Sequence, residues 1–383
     1  MGRLIIILVL TVTCVIMFSH LSNHLWAGQK GEKSGKIEIT AIDNMSVAQF
    51  GQKYNLANPV LKKIFNLSSP TDLQKQVIDF GMTREQLNKK VNQVIAIEGE
   101  KSSKNWEKIL LKFSLWILYL LIVFVFLKKG RINVRNRKWI YAGAVVIFGI
   151  ILGSDPSPMG TVKDAIVLFA INRVVFMPRL IAFSGFILMV VLANKFICSW
   201  GCQFGVLQDF IFRLNRDKKD QKGLFHQIKI PFVISNSIRI LFFTVFVLIA
   251  FLWALDIISF IDPFKLYKPV EISIIGGLFL GLMLILSLFV YRPWCTFFCP
   301  FGLAGWLAEK ISIFHIKVDY NKCISCQLCT RVCPTTVMSA ILKRDKIKPD
   351  CFSCGNCIES CPVNAISFST GKSPKPPEGK FSK

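Results

Sequence analysis

Six long apolar runs constrain this chain more than any other feature of its sequence. Of its 383 residues, 52% are hydrophobic and 33 are Phe. A helix needs roughly 20 apolar residues to cross a bilayer, and soluble helices of that length normally carry a polar face. The sequence therefore predicts an α-helical integral membrane protein with about six spans. These are Leu4–Trp26, Ile109–Leu127, Trp139–Gly153, Leu180–Ile197, Phe232–Leu255 and Ile272–Tyr291.

Basic loops predict the orientation of these spans. Six basic residues and no acid lie in 128–138, and another six basic residues lie in 213–229. Because Lys and Arg concentrate on the cytoplasmic side, both ends of the chain are expected in the cytoplasm. We expect the bacterial cytoplasmic (inner) membrane. The formal charge of +24 then reflects topology and anionic lipid rather than nucleic acid. Arg239, near one end of its span, is expected to snorkel to the surface.

The predicted domains follow from this topology. Residues 1–27 form an N-terminal membrane anchor, and 28–107 form a small extracytoplasmic helical domain without a recognisable catalytic or metal motif. Residues 108–312 form the membrane domain, and 313–369 form a small α+β domain. The tail, 370–383, is rich in Pro, Gly, Lys and Ser and is expected to be disordered.

Eight cysteines near the C-terminus repeat one spacing, C-x₂-C-x₂-C-x₃-C-P. The first cysteine run is Cys323, Cys326, Cys329 and Cys333; the second is Cys351, Cys354, Cys357 and Cys361. This spacing holds two cubane iron–sulfur clusters, and the fourth cysteine of each run binds the other cluster. Zinc would not explain the third cysteine or the proline. We therefore predict two [4Fe-4S] clusters in a ferredoxin domain. Cluster 1 is held by Cys323, Cys326, Cys329 and Cys361, and cluster 2 by Cys351, Cys354, Cys357 and Cys333.

A second repeat lies in the membrane domain. Box one, Cys198–Gly205, and box two, Cys295–Gly302, both read C-x₃-C-x-F-G. Each box ends a repeated unit that consists of a helix, a loop with Asp-Pro, a second helix and the box. Two such units can pack about a pseudo-twofold axis along the membrane normal. That geometry would bring together four thiols, which are those of Cys198, Cys202, Cys295 and Cys299. They could bind a further cluster or metal ion, bind Cu(I), or form redox-active thiol pairs.

Paired C-x₃-C boxes followed by a two-cluster ferredoxin domain resemble the NapH/NosR/CcoG group of membrane polyferredoxins. The resemblance covers roughly 139–368, including the stretch Gly153–Gly160, but Gln203 stands where the group has proline. NapH-like members pass electrons from quinol toward extracytoplasmic reductases, and CcoG-like members serve copper handling. NosR-like members add a covalent flavin at a motif that this chain lacks. A C-x-x-C-H motif is also absent, so we expect neither covalent flavin nor c-type haem.

The resemblance and the motifs favour a membrane-bound iron–sulfur electron-transfer protein. It would link the quinone pool, or a cytoplasmic ferredoxin, to other redox subunits or an extracytoplasmic reductase. The alternative is a CcoG-like, copper-reducing maturation factor for a metalloenzyme. Whether the chain is itself an enzyme stays open, and the sequence indicates no catalytic residue. The ferredoxin domain is predicted to be cytoplasmic and 28–107 extracytoplasmic.

Overall fold

Among the residues that the structure describes, three helices are long and apolar enough to cross a membrane. The structure is a computed structural model that describes residues 2–25, 37, 39, 45–102, 105–216, 223–372, 374, 376–377 and 381. The three are α1 (Gly2–Leu25), α5 (Trp106–Lys128) and α11 (Phe232–Trp253). They confirm three of the predicted spans, and the chain is a mostly helical membrane protein. Residues 26–36, at the end of the predicted anchor and the start of the predicted extracytoplasmic domain, and part of the predicted tail lie outside the described residues.

The other three predicted spans correspond to shorter apolar elements. Helices α8 (Met177–Ala193) and α12 (Ile274–Leu286) cover two of them. The third is α6 (Val134–Ala144), which continues as a π-helix over Val145–Ile151. A count of six spans therefore stays a prediction.

An N-terminal helical unit (45–102) has a hydrophobic core of its own. Its helices are α2 (Val47–Lys53), α3 (Asn58–Phe65) and α4 (Arg84–Ser102), and short 3₁₀ segments at Pro70–Gln74 and Val77–Phe80 connect α3 to α4. Ser46 caps α2 by accepting a hydrogen bond from the Gln49 amide. The Arg179 guanidinium, at the start of α8, lies 2.8 Å from a Glu100 carboxylate oxygen of this unit. Its extracytoplasmic position stays a prediction.

The membrane domain contains the same unit twice. In the first copy, the Asp155-Pro156 loop leads through α7 (Pro158–Asn172) and α8 into α9 (Phe196–Trp200) and α10 (Gln203–Leu214). In the second, the loop with Asp262 leads through α12 into α13 (Pro293–Phe297) and α14 (Pro300–Ala308). The N-cap of α10 is Cys202 and that of α14 is Cys299. Each box is therefore a short helix, a cysteine-capped break and a second helix.

The C-terminal domain is small and mixed. Strands β1 (Phe314–Val318) and β2 (Ile366–Thr370) pair antiparallel, with Phe314 opposite Thr370. Helices α15 (Leu328–Val332), α16 (Val337–Lys343) and α17 (Asn356–Glu359) lie between them. Phe124 of α5 packs on the sheet, with ring centroids 5.0 Å from Phe314 and 5.8 Å from Phe368. These contacts hold the domain against the end of a spanning helix.

Candidate functional site

The two cysteine runs share one backbone conformation. Ser325 and Gln327 in the first run, and Ser353 and Gly355 in the second, all have positive φ between 48° and 82°. These residues flank the second cysteine of each run at equivalent positions. Alternation between right- and left-handed backbone turns successive N–H groups inward and forms an anion-binding concavity. The duplicated spacing therefore folds into two matching loops suited to an anionic cofactor.

The second loop closes a cavity with a cysteine of the first run. This cavity is lined by all four thiol residues predicted for cluster 2. Its other lining residues include Phe352, Asn356 and Met338. Among the four, Cys333 comes from the opposite run. The donor set, its crossed origin and the apolar lining fit an iron–sulfur cluster.

The cysteines predicted for cluster 1 lie closer to the surface. The pKa of the Cys329 thiol is raised to about 11 by burial and by the neighbouring Cys323, Cys326 and Cys361. These four residues are therefore close enough to interact electrostatically. Cys326 is exposed, and the adjacent Ile324 is 61% exposed. The fold thus presents cluster 1's position to solvent and encloses cluster 2's position.

The two boxes also bring their four cysteines together. Burial raises the pKa of the Cys299 thiol well above its usual range, and Cys295, Cys202 and Cys198 add to the effect. Burial raises the pKa of Cys295 to about 12, with Cys202 the next contribution. Among the described residues, no three His, Cys, Asp or Glu side chains converge as they would around a single metal ion. In the thiol form this group is neutral at pH 7.

Basic side chains cross between the boxes. Arg292 lies three residues before Cys295, yet it donates hydrogen bonds to the carbonyls of Cys198 and Ser199 in box one. Lys195 lies three residues before Cys198, yet its Nζ donates to the Gly302 carbonyl of box two at 2.7 Å. The exchange is reciprocal, as the pseudo-twofold repeat predicts. It fixes the two boxes against each other.

The last glycine of each box makes the same close approach. A Cβ on Gly205 would lie 2.9 Å from the Cys198 carbonyl oxygen and 3.1 Å from an Arg292 nitrogen. A Cβ on Gly302 would lie 3.0 Å from the Cys295 carbonyl oxygen and 3.2 Å from an Arg239 nitrogen. Each box therefore needs glycine because a guanidinium occupies the space of a side chain.

Asp209 of α10 is the centre of a buried charge network. Arg213 Nε and Arg292 Nη2 each lie 2.7 Å from its carboxylate, and the hydroxyls of Tyr291 and Tyr141 donate to it at 2.6 and 3.0 Å. Burial alone would raise the pKa of Asp209. Arg213, Arg292 and the hydrogen bonds outweigh burial and lower it to about 2. The carboxylate is therefore ionised at any physiological pH and balances charge next to box one.

The second cysteine run lies directly on the boxes. The indole Nε1 of Trp200, inside box one, donates to the Ser353 carbonyl at 3.2 Å. Asp350, just before Cys351, accepts from Lys195, and it accepts from Arg239 at 2.9 Å. The Phe352 ring centroid lies 5.1 Å from the Arg292 guanidinium carbon and 5.6 Å from the Tyr291 ring centroid. Cluster 2's position is thus held against both boxes.

Some basic residues have other roles than those the sequence indicated. The prediction that Arg239 snorkels to the surface is wrong: it is 1% exposed because it pairs with Asp350. Arg137 and Arg213 come from the loops that set the predicted orientation, but both are buried and donate to Asn356 Oδ1. Sequence reasoning missed Asp209 and Asp350. The sequence signal that could have identified them is that each is a lone acid, Asp209 in an apolar segment and Asp350 directly before a cysteine run.

Family models match both cysteine regions. A model described as a 4Fe-4S dicluster domain matches residues 315–362, which hold both cysteine runs and the prolines that follow them. A model described as a 4Fe-4S binding domain matches 175–220 and 272–318, which contain the two boxes. No solved structure gives a significant match. The matched regions coincide with the two repeats described above, and the chain is an iron–sulfur protein.

Three curated proteins are similar to parts of this chain. The ferredoxin-type protein NapH of Escherichia coli is 29% identical over 169 residues, which are 41% of this chain and 55% of NapH. YccM of E. coli, assigned provisionally to electron transport by its name, is 27% identical over 40% of this chain and 44% of YccM. The regulatory protein NosR of Pseudomonas aeruginosa is 25% identical over 36% of this chain and 19% of NosR.

The matched 4Fe-4S domains, the apolar helices and the similarity to electron-transport proteins indicate a membrane-bound, ferredoxin-type protein of electron transport. More particularly, its matched regions are similar to those of the ferredoxin-type protein NapH and the regulatory protein NosR. The match to each of these three relatives spans less than two thirds of the relative's length.

Proposed function

We propose that this protein passes single electrons through three cysteine-ligated centres in series. The first centre is cluster 1, which includes the exposed Cys326 and exchanges electrons with a soluble one-electron carrier of the ferredoxin class. Cluster 2, held by Cys333, Cys351, Cys354 and Cys357, comes next. The centre at Cys198, Cys202, Cys295 and Cys299 is the last and exchanges electrons with the quinone pool or another membrane-associated redox subunit. Two electrons and two protons interconvert one quinone and one quinol.

The contact between the second run and the boxes carries this proposal. Trp200 lies between Cys198 and Cys202, and Ser353 lies between Cys351 and Cys354. Their hydrogen bond of 3.2 Å joins the two sites directly. Ion pairs from Asp350 to Lys195 and Arg239 hold the same loop in place. A domain that served only as a docking module would not need contacts between its ligand loop and the boxes.

Buried charge favours a metal–thiolate centre at the boxes over a dithiol pair. Lys195, Arg213, Arg239 and Arg292 are each at most 1% exposed, and the buried carboxylates that pair with them are Asp209 and Asp350. Three of these cations contact the boxes themselves, since Lys195 donates to the Gly302 carbonyl, Arg239 to the Cys295 carbonyl and Arg292 to the Cys198 carbonyl. Buried charge needs compensation. Thiols and disulfides are neutral, whereas a four-thiolate centre is an anion that would supply it.

Among metal–thiolate centres, an iron–sulfur cluster is the best supported. The matched model for residues 175–220 and 272–318 is described as a 4Fe-4S binding domain. When bound, a cluster supplies a one-electron carrier whose potential depends on burial and on hydrogen bonds to sulfur. In the chain itself, the two boxes supply the four thiols, and Arg292, Arg239 and Lys195 supply the compensating charge.

A copper-reducing maturation factor is the second candidate. The observation that favours it is the group of four buried thiols, because soft sulfur ligands select Cu(I). In that case electrons from the ferredoxin domain would reduce Cu(II) to Cu(I) at the boxes, one electron per ion. Purified protein that takes up Cu(I) through Cys198, Cys202, Cys295 and Cys299, and holds iron for two clusters alone, would favour this function.

Anaerobically purified protein tests the series directly. Iron and sulfide are quantified, and EPR spectra are recorded before and after addition of a quinol analogue or a reduced soluble ferredoxin. We expect Cys198→Ser and Cys295→Ser each to lose one cluster's share of iron while both ferredoxin-domain signals remain. Cys14→Ser is the matched control because Cys14 lies outside all three cysteine sets. Unchanged iron in the box variants would rule out a cluster there.

A further inference from the structure

Two buried glutamine side chains next to the boxes have amide atoms without a hydrogen-bond partner. Among the described residues, Gln203 Nε2 and Oε1 and Gln208 Nε2 are buried polar atoms without a hydrogen bond. Gln203 is 1% exposed and Gln208 is fully buried. An unpaired buried amide is unfavourable, and native structures rarely retain one without a reason such as a missing ligand or water. The orphaned atoms therefore have hydrogen-bonding capacity free for a group bound at the boxes.

The contacts of Gln208 place its amide at the cysteines. Its Oε1 lies 3.9 Å from the Cys295 Sγ, so the side chain reaches from α10, which follows box one, to a thiol of box two. Gln203 follows Cys202 directly, and its carbonyl accepts a hydrogen bond from the Tyr267 hydroxyl at 3.1 Å. That bond fixes the backbone beside Cys202. Both amides therefore belong to residues that contact or adjoin box cysteines.

The two amides are also an asymmetry in an otherwise repeated site. Gln203 occupies the position of Pro300, and Gln208 that of Gly305, counted from the first cysteine of each box. Neither proline nor glycine has a side-chain donor. The shared parts of the repeat, such as the glycines and the crossed cations, hold the boxes together. The amides are not part of that framework, which leaves them available to the bound centre.

We propose that Gln208 and Gln203 donate hydrogen bonds to sulfur atoms of the centre held by the box cysteines and raise its reduction potential. This inference rests on the proposed function. An N–H directed at cluster or thiolate sulfur stabilises the more negative, reduced form, so the reduction potential rises. A higher potential at the boxes than at cluster 2 draws electrons from the ferredoxin domain toward the membrane. By raising this potential, the glutamines set the direction of electron flow.

An EPR-monitored redox titration of purified protein tests this role. The variants are Gln208→Met, which keeps side-chain length, and Gln203→Pro, which gives box one the residue of box two. We expect iron content to stay constant in both. At fixed ambient potential, the reduced-to-oxidised ratio of the box centre should fall about tenfold, which is 59 mV for a one-electron couple. The potentials of the two ferredoxin-domain clusters should not move.

Ser287→Ala is the control for removal of a buried polar group. Ser287 is fully buried, but its hydroxyl already donates to the Met283 carbonyl at 2.8 Å, outside the boxes. An unchanged box potential in both glutamine variants, with iron intact, would overturn the inference. If Gln208→Met fails to assemble, Gln203→Pro decides alone. Failure of the proposed function is distinct, because wild-type protein would then contain iron for two clusters and no third signal.

Discussion

Trp200 and Ser353 are joined by a hydrogen bond of 3.2 Å from the indole nitrogen to the backbone carbonyl. Trp200 lies between the two cysteines of box one, and Ser353 lies between the first two cysteines of the second run. The bond therefore connects two cysteine sites that are about 150 residues apart in the chain. It is the simplest physical link between the ferredoxin domain and the membrane domain.

Removal of this link should slow electron transfer without dismantling the protein. Trp200→Phe keeps an aromatic ring but deletes the donor, so the free energy of unfolding should fall by about 0.5–1.5 kcal/mol. Rapid-mixing spectroscopy should show slower reduction of the box centre by cluster 2, with unchanged iron content.

Trp306→Phe is the matched control for Trp200→Phe. Its indole nitrogen also donates to a carbonyl of the ferredoxin domain, that of Lys348, at 3.1 Å. Neither Trp306 nor Lys348 lies within a box or a cysteine run. Equal slowing in both variants would mean that domain attachment matters and the position of Trp200 does not.

Asp350 should be the most sensitive charged residue at this contact. Asp350→Asn leaves Lys195 and Arg239 buried without their carboxylate, and loss of one partner of a buried ion pair typically costs about 3–5 kcal/mol. We expect faster hydrogen exchange in the loop 350–356 and weaker attachment of the domain. Asp345→Asn, at an exposed position of the same domain, is the control. Unchanged exchange in Asp350→Asn would contradict the role of this ion pair.

Gly355 should tolerate no side chain. Its φ is +82°, and a Cβ would lie 2.9 Å from Leu127 Cδ1 at the end of α5. Gly355→Ala combines backbone strain with a clash, so we expect lower thermal stability and loss of cluster 2 signal. Gly81→Ala isolates the strain term, because Gly81 has φ +62° with nothing within 4 Å of a Cβ. Equal losses in the two variants would show that the approach to Leu127 is unimportant.

Crossed ligation makes a prediction for the fourth cysteine of each run. Cys333 lines the cavity with Cys351, Cys354 and Cys357, and Cys361 lies with the first run. Cys333→Ser should therefore perturb the EPR signal of cluster 2, and Cys361→Ser that of cluster 1. Assignment of each signal comes from Cys354→Ser and Cys326→Ser. If Cys333→Ser instead altered the same signal as Cys326→Ser, the crossed assignment would fail.

The cysteine pattern supplied the candidate site residues, whose roles as ligands stay predictions, but it did not indicate the buried charged residues around them. The cysteine spacing predicted that Cys333 lies with the cysteines of the second run. The repeat predicted that the two boxes lie together. Both could be read from the sequence because ligand spacing and repeat symmetry are local sequence properties. Three spans could also be recognised from apolar length. The pairing of Arg239 with Asp350 could not, since the two residues are 111 positions apart. A charge near a span end is equally compatible with snorkelling and with a buried partner, and only the packing distinguishes them.

The central claim is that electrons reach the boxes through both ferredoxin-domain clusters. The most direct measurement is anaerobic stopped-flow reduction of the box centre by a reduced soluble ferredoxin, in wild type and in Cys326→Ser. We predict that the box centre of wild type is reduced after the two clusters, and that its reduction by the soluble donor is lost in Cys326→Ser. Box-centre reduction at the wild-type rate in Cys326→Ser would contradict the series.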